Sequence, residues 1–271
     1  EFLFNIGKEF NLIWQPNPDK SNELIVKPLY SYYTSTVENL STKLDFSLGI
    51  ESEPMGELDG SKYIFTNAKG EDEESKDYFA SYGESFGTYR YKVNNDLVTQ
   101  SKEIKSSFVK PMLYKLSGVD CLCSNLETTS ASTSGFNIGF YNGLLACKSF
   151  QMLSDTGSTI LTNYTSYPYS GHLDNPKDPD NDILFGMPKD VVIADGGRIE
   201  YTNSNQFNNY WRQYITEITD KDSRVVTAHF NIRPLDFYNL TFDKLYFFNG
   251  QYFRLLKIED YTPTDKGELT K

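Results

Sequence analysis

Apolar and polar positions alternate in short runs through the first third of the chain, which predicts strands separated by turns. Residues 23–33 form one such run. Residues 43–50 form another, with Leu44, Phe46, Leu48 and Ile50 at every other position, so one face of that strand is expected to be buried. Asp59-Gly60, between Leu58 and the run 62–65, predicts a hairpin because Asp-Gly readily takes the positive φ angles of a type I′ turn. The acidic run from Glu71 to Glu74 lacks periodicity and is expected to be a solvated loop. Alternation returns at 86–93 and 108–116, and Asn142-Gly143 inside the run 136–147 predicts a second hairpin turn. Between Tyr164 and Lys189 turn formers crowd together, Pro168, Pro176, Pro179 and Pro188 among them, as in a long ordered loop or a boundary between subdomains.

The period then changes from two to 3.6. Phe207, Tyr210, Trp211, Tyr214, Ile215 and Ile218 line one face of a helix predicted over 205–218, with Asn203, Ser204 or Asn205 as its N-cap. Val226, Ala228, Phe230 and Ile232 share one face of a strand over 224–232. Pro234 suits the first turn of a short helix over 235–240, where its missing N–H is not needed. Residues 244–258 carry the strongest hairpin signal, with apolar arms on either side of Asn249-Gly250. Apolar residues on both faces of those arms imply burial on two sides, by a second sheet or a neighbouring subunit. Trp211, Tyr214, Tyr246, Phe248, Tyr252 and Phe253 are the candidate subunit-interface residues on this reasoning. The expected fold is mainly β with a few helices.

Composition narrows the function classes. A length of 271 residues suggests two subdomains. The net charge of -11 leaves no global field to attract phosphate, which argues against sequence-specific binding of DNA or RNA. No run of ~18 apolar residues occurs, so no membrane anchor is expected. The chain opens on Glu1 and closes within what reads as a strand, so both ends read as cut and a missing leader carries no weight. Cys121, Cys123 and Cys147 lack the Cys-x-x-Cys spacing common in zinc sites and read as reduced thiols.

Candidate chemistry is sparse. Asp155-Thr-Gly-Ser-Thr159 looks like an aspartic-protease loop, but that chemistry needs a second such loop to share the proton, and the chain has none. A peptidase would therefore have to be a symmetric dimer. Asp174, Asp178, Asp180 and Asp182 could offer oxygens to calcium, yet an EF-hand loop begun at Asp178 needs glycine where Ile183 stands. His172 and His229 are the sole histidines and read as surface or interface residues, leaving a serine or cysteine triad few possible bases. Asn39, Asn163 and Asn239 head Asn-x-Ser/Thr triplets too short to argue for secretion. No catalytic residue, metal ligand or cofactor is assigned, and the chain is expected not to be an enzyme.

Several segments together resemble a protein of tailed phages that infect Bacteroidetes, the crAss-like phages among them. They are Gly139-Phe-Tyr-Asn-Gly143, the stretch Tyr167 to Pro176, the helix around Trp211-Arg-Gln-Tyr-Ile215, Asp222 to Thr227, Pro234 to Leu240, and Phe248 to Tyr261. The resemblance covers roughly half of the chain, from Phe136 onward, and no single piece is as specific as a catalytic signature. It implies a structural virion protein of the tail hub or baseplate kind, built from β-barrel or sandwich-like tube subdomains. It also implies a homo-oligomeric ring around the DNA channel, contacts with other tail proteins, and genomic DNA that passes without sequence-specific binding. On that basis residues 136–271 are the tube-like domain and residues 1–135 a β-rich peripheral module. A glycan-binding β module, using exposed Tyr and Phe as stacking platforms, is the alternative.

Overall fold

The computed structural model describes residues 2–17, 19–55, 60–93, 99–115, 122–124, 136–153, 160–189, 193–194, 197–198, 201–262 and 270. The chain is mostly β, with 37% strand and 21% helix distributed over several small sheets, and the described sheets do not close into a barrel. It divides into two compact units that interleave along the sequence. The first gathers residues 1–10, 62–93 and 101–212, and the second gathers 11–61, 94–100 and 213–271.

In chain order the early elements are helix α1 (Phe2–Phe10), strands β1 (Leu12–Pro16) and β2 (Leu24–Pro28), helix α2 (Leu29–Tyr32), and strands β3 (Val37–Asn39), β4 (Glu51–Pro54) and β5 (Lys62–Ala68). Helix α3 (Glu73–Tyr82) follows, then β6 (Tyr89–Lys92), β7 (Ser101–Val109), β8 (Leu113–Lys115), β9 (Leu122–Ser124) and β10 (Phe136–Asn137). Next come β11 (Phe140–Leu153), β12 (Ile160–Gly171), β13 (Ile193–Ala194) and β14 (Gly197–Arg198). The chain ends with a helix α4 made of a π-turn (Phe207–Trp211) and an α segment (Arg212–Ile218), then β15 (Arg224–Thr227), α5 (Pro234–Asn239), β16 (Leu245–Phe248) and β17 (Gln251–Arg254).

The first unit is centred on a four-stranded sheet ordered β10-β7-β5-β6, in which β5 runs antiparallel to β6 and parallel to β7. Phe65 on β5 is fully buried, its ring 5.6 Å from Phe185, 5.1 Å from Phe207 and 5.2 Å from Trp211. The aromatic stripe read on 205–218 thus supplies Phe207 and Trp211 to this core, and helix α4 ends in the second unit, where Ile215 and Ile218 are buried. Beside the sheet, β11 and β12 make a long antiparallel ribbon.

Three sequence expectations for this unit are corrected. The acidic run 71–74 is not a loop: Asp72 accepts the Ser75 N–H at 2.9 Å as an N-cap, Glu73 and Glu74 lie in the first turn of α3, and Gly83 closes the helix at φ 68°. Acidic side chains there are favoured by the helix dipole, a signal that periodicity alone does not register. Asn142-Gly143 is not a hairpin turn but a bulge, since β11 takes three steps from Tyr141 to Leu144 while β12 takes two from Ser170 to Pro168. Gly143, at φ 62°, supplies the left-handed residue such a bulge needs. Of the two readings of the proline-rich stretch, the boundary fails and the ordered loop holds only after β12, which takes the stretch as far as Gly171. Leu173, Leu184 and Phe185 are fully buried inside the first unit.

In the second unit, β16 pairs antiparallel with β17 and parallel with β3. The Asn249-Gly250 turn has φ 48° and 77°, as the hairpin reading requires. Leu44, Ala228 and Phe248 form one core cluster with Val226, Phe230 and Phe253 packed against them, which matches the face assigned to 224–232, although the strand itself ends at Thr227. The alternating run 43–50 fails as a strand beyond Leu44. Asp45 accepts the Ser47 N–H at 2.7 Å and Gly49 turns at φ 75°, so a local side-chain turn replaces the ladder and leaves Phe46 and Leu48 exposed. Asp59 of the hairpin expected at Asp59-Gly60 lies outside the described residues, and β5 pairs with β6 and β7.

Buried Tyr246 fastens the end of the second unit. Its hydroxyl donates to the Thr241 carbonyl at 2.8 Å and accepts from the Thr241 N–H at 2.9 Å. Replacing it with Phe leaves both backbone groups without that partner, so Tyr246→Phe is expected to lower stability by about 1–3 kcal/mol in urea unfolding. An unchanged midpoint would remove this pin from the account of the fold.

Candidate functional site

Buried charge concentrates in the first unit, at the end of α1 and around the loop after β12. Glu9 and Lys110 are completely buried, and the Lys110 ammonium donates to Glu9 Oε2 at 2.8 Å. Burial pushes the Lys110 pKa down, while Glu9 and then Asp182 pull it back up. The other Glu9 oxygen has no hydrogen-bond partner among the described residues.

A second buried pair continues the line. His172 Nδ1 sits 3.0 Å from Asp182 Oδ1, and the same oxygen accepts the Leu184 N–H at 2.9 Å. The imidazole packs edge-on to Phe86 and stacks parallel to Tyr201, with ring centroids 5.2 and 5.9 Å away. His172 is therefore a core residue, correcting the surface placement read from the sequence. Nearby, the Tyr169 hydroxyl donates to the Leu173 carbonyl at 2.7 Å, and burial raises its pKa well above the ordinary value.

A histidine oriented by a carboxylate has the geometry of a general base, but a base must reach its substrate. His172 Nε2 is buried and faces no hydrogen-bond partner among the described residues. These groups hold elements together: α1 to the end of β7, and β12 to the loop after it.

The acidic loop is organised by its own backbone. Asp174 accepts the Asn175 N–H at 2.8 Å, the Asp180 N–H at 3.0 Å and the Asn181 amide at 2.9 Å, while Asp182 turns inward to His172. The four aspartates do not converge, and among the described residues no three His, Cys, Asp or Glu side chains come together as metal ligands. Asp155 lies outside the described residues. His229, on the run after β15, is half-buried.

The interface candidates divide by exposure. Tyr246 and Phe248 are buried in the second unit's own core, and Phe253 stacks on Phe248 with centroids 4.2 Å apart, so Tyr246 and Phe248 have little area left for a neighbour. Trp211 is committed to the first unit, where its indole N–H donates to the Lys8 carbonyl at 3.0 Å. Tyr214 is half-buried. Tyr252 remains 65% exposed, packed against Phe247 at 5.0 Å. The hairpin thus has one buried face and one half-open face.

Comparison of the chain with protein-family models, with curated proteins and with solved structures returns no match. Behind the hairpin, the Arg254 guanidinium forks onto both oxygens of Glu217 and lies over the Tyr33 ring at 3.9 Å. That clamp ties β17 to the end of α4 by planar pairing that a lysine could not reproduce. Periodicity located the hairpin, but the sequence reading assigned no partner to Glu9, Lys110, Arg254 or Glu217, since each pair is separated by tens of residues.

Proposed function

We propose that this chain is a non-catalytic structural component of a phage tail, of the hub or baseplate kind, which assembles with copies of itself around the DNA channel. The reading rests on the resemblance carried by segments from Phe136 onward. Its main structural support is the kind of surface the fold leaves open. β11 and β12 form a two-stranded sheet, with strands of 14 and 12 residues that pair with each other and no third strand among the described residues. Ribbons with unpaired edges invite pairing with another chain. Tyr141 and Leu144 are exposed at the bulge of that ribbon.

The burial of the Glu9–Lys110 and His172–Asp182 pairs in the first unit also favours a scaffold over a catalyst. A net charge of -11 suits a conduit, because an acidic wall does not retain a polyanion. In this reading the small sheets join into barrel or sandwich-like tube subdomains when copies assemble.

Immunogold labelling of intact virions with antibody against this chain tests the proposal. Label at the tail is the expected result. Label confined to the capsid, or no virion label while the chain is abundant in the infected cell, would overturn it.

A further inference from the structure

We propose that the β1–β2 ribbon is a self-association surface, and that its occupant is a second copy of this chain. The contact rests on the self-assembly reading above and names the surface that carries it.

Register decides which residues share a face. β1 and β2 pair antiparallel with Leu12 opposite Pro28, Trp14 opposite Val26 and Pro16 opposite Leu24. Side chains two apart on a strand point the same way, so these three cross-strand pairs form one continuous face. Every residue on it is apolar.

The other face is already in use. Ile13, Gln15 and Ile25 are half-buried there, and the Tyr32 hydroxyl of α2 donates to Gln15 Oε1 at 3.1 Å. The apolar face is the open one: Trp14 is 37% exposed, Val26 40% and Leu24 61%. A two-stranded ribbon with one face in water has marginal stability of its own, and a contiguous apolar patch of this kind marks a surface that another body covers.

Charge indicates which body. Within residues 12–28 Asp19 and Glu23 balance Lys20 and Lys27, so this segment sums to zero in a chain whose total is -11. Lys20 and Glu23 pair with each other at 2.8 Å. Two copies of a strongly acidic chain repel over most of their surface and meet most easily at a neutral patch. A basic partner would be drawn to the acidic regions instead. A bilayer is disfavoured because the ribbon's tip carries Asp19, Lys20 and Glu23, polar groups that would have to enter the lipid first.

Size sets the strength. Five residues span about 17 Å, so the ribbon face falls well short of the ~800 Å² per partner typical of a stable interface. The contact is therefore weak between two free copies and gains strength when repeated around a closed assembly.

The test uses the full chain and two single variants, Val26→Asp and Leu24→Lys, which place opposite charges on the open face without entering either core. Ser21→Asp at the tip is the control. Sedimentation equilibrium across a wide concentration range reads the self-association constant, and circular dichroism with a thermal melt confirms folding. Expected is concentration-dependent association of the wild type and the control, weakened about tenfold or more in both face variants at unchanged melting temperature. Wild-type association that both face variants retain would overturn the proposed surface while leaving the tail reading intact. A wild type that stays monomeric but binds vesicles of phosphatidylcholine would overturn the surface in favour of a bilayer. A wild type that stays monomeric at every concentration and ignores vesicles overturns the surface as a contact between free copies. The tail reading fails separately, on virion labelling.

Discussion

Lys110→Met is expected to destabilise the protein by about 3–5 kcal/mol, and the double variant Glu9→Leu/Lys110→Met to recover most of that loss. Both side chains are fully buried and joined at 2.8 Å. Removing the lysine leaves a carboxylate in the interior with its compensating charge gone, and the second Glu9 oxygen already lacks a hydrogen bond. Replacing both partners removes the desolvation cost together with the attraction, which is why a buried ion pair can be exchanged for apolar groups at little net loss.

The same residue carries a pH signature whose sign follows from its direction of shift. Burial lowers the Lys110 pKa below 10.5, so the unfolded chain binds more protons than the folded one between the two values. The Lys110 contribution to stability therefore rises with pH through that window, is complete above the unfolded value, and is lost as pH falls through the folded one. Urea midpoints measured from neutral pH to about 10 should climb more, or fall less, in the wild type than in Lys110→Met. Parallel pH profiles would show that folding does not lower the Lys110 pKa.

Phe207→Ala is the second large effect, about 3–5 kcal/mol, or a fall in melting temperature on the order of 10 °C. Its ring sits 4.2 Å from Tyr89, 5.1 Å from Phe65 and 5.7 Å from Tyr91, filling the space between two strands and the helix that covers them. Phe207→Leu keeps much of the volume and should lose markedly less. Equal losses in the two variants would locate the contribution in the aromatic contacts and not in the cavity.

Much of the second unit was legible because its signals are local. Asn-Gly between apolar arms, Pro234 at a helix start, and a two-residue period over 224–232 each depend on neighbours a few residues apart. Local chemistry also misled where two local signals compete. Leu44, Phe46, Leu48 and Ile50 alternate like a strand, yet Asp45 and Gly49 bend the backbone first. Asn142-Gly143 offers the same left-handed residue to a bulge as to a turn, and only the partner strand decides between them.

The buried charges were illegible for a different reason. Glu9 and Lys110 lie 101 positions apart and His172 finds Asp182 across a loop, so their roles exist only once the chain has folded. The open face of β1–β2 left only a partial trace in the sequence, since Ile13 and Ile25 interrupt the alternation of Leu12, Trp14 and Pro16 and of Leu24, Val26 and Pro28. What alternation cannot say is which of two faces meets solvent. Here the wholly apolar one does.

The pairing of β3 with β16 has a consequence for the order in which the protein can be made. Val37 lies beside Leu245, and the Thr34 N–H donates to the Asp243 carbonyl at 2.7 Å. A ribosome releases the N-terminal strands long before their partners exist, because domains form in the order their residues emerge. The second unit cannot close until β16 has been synthesised, so β3 waits without its partner while all the residues between the two strands are being added.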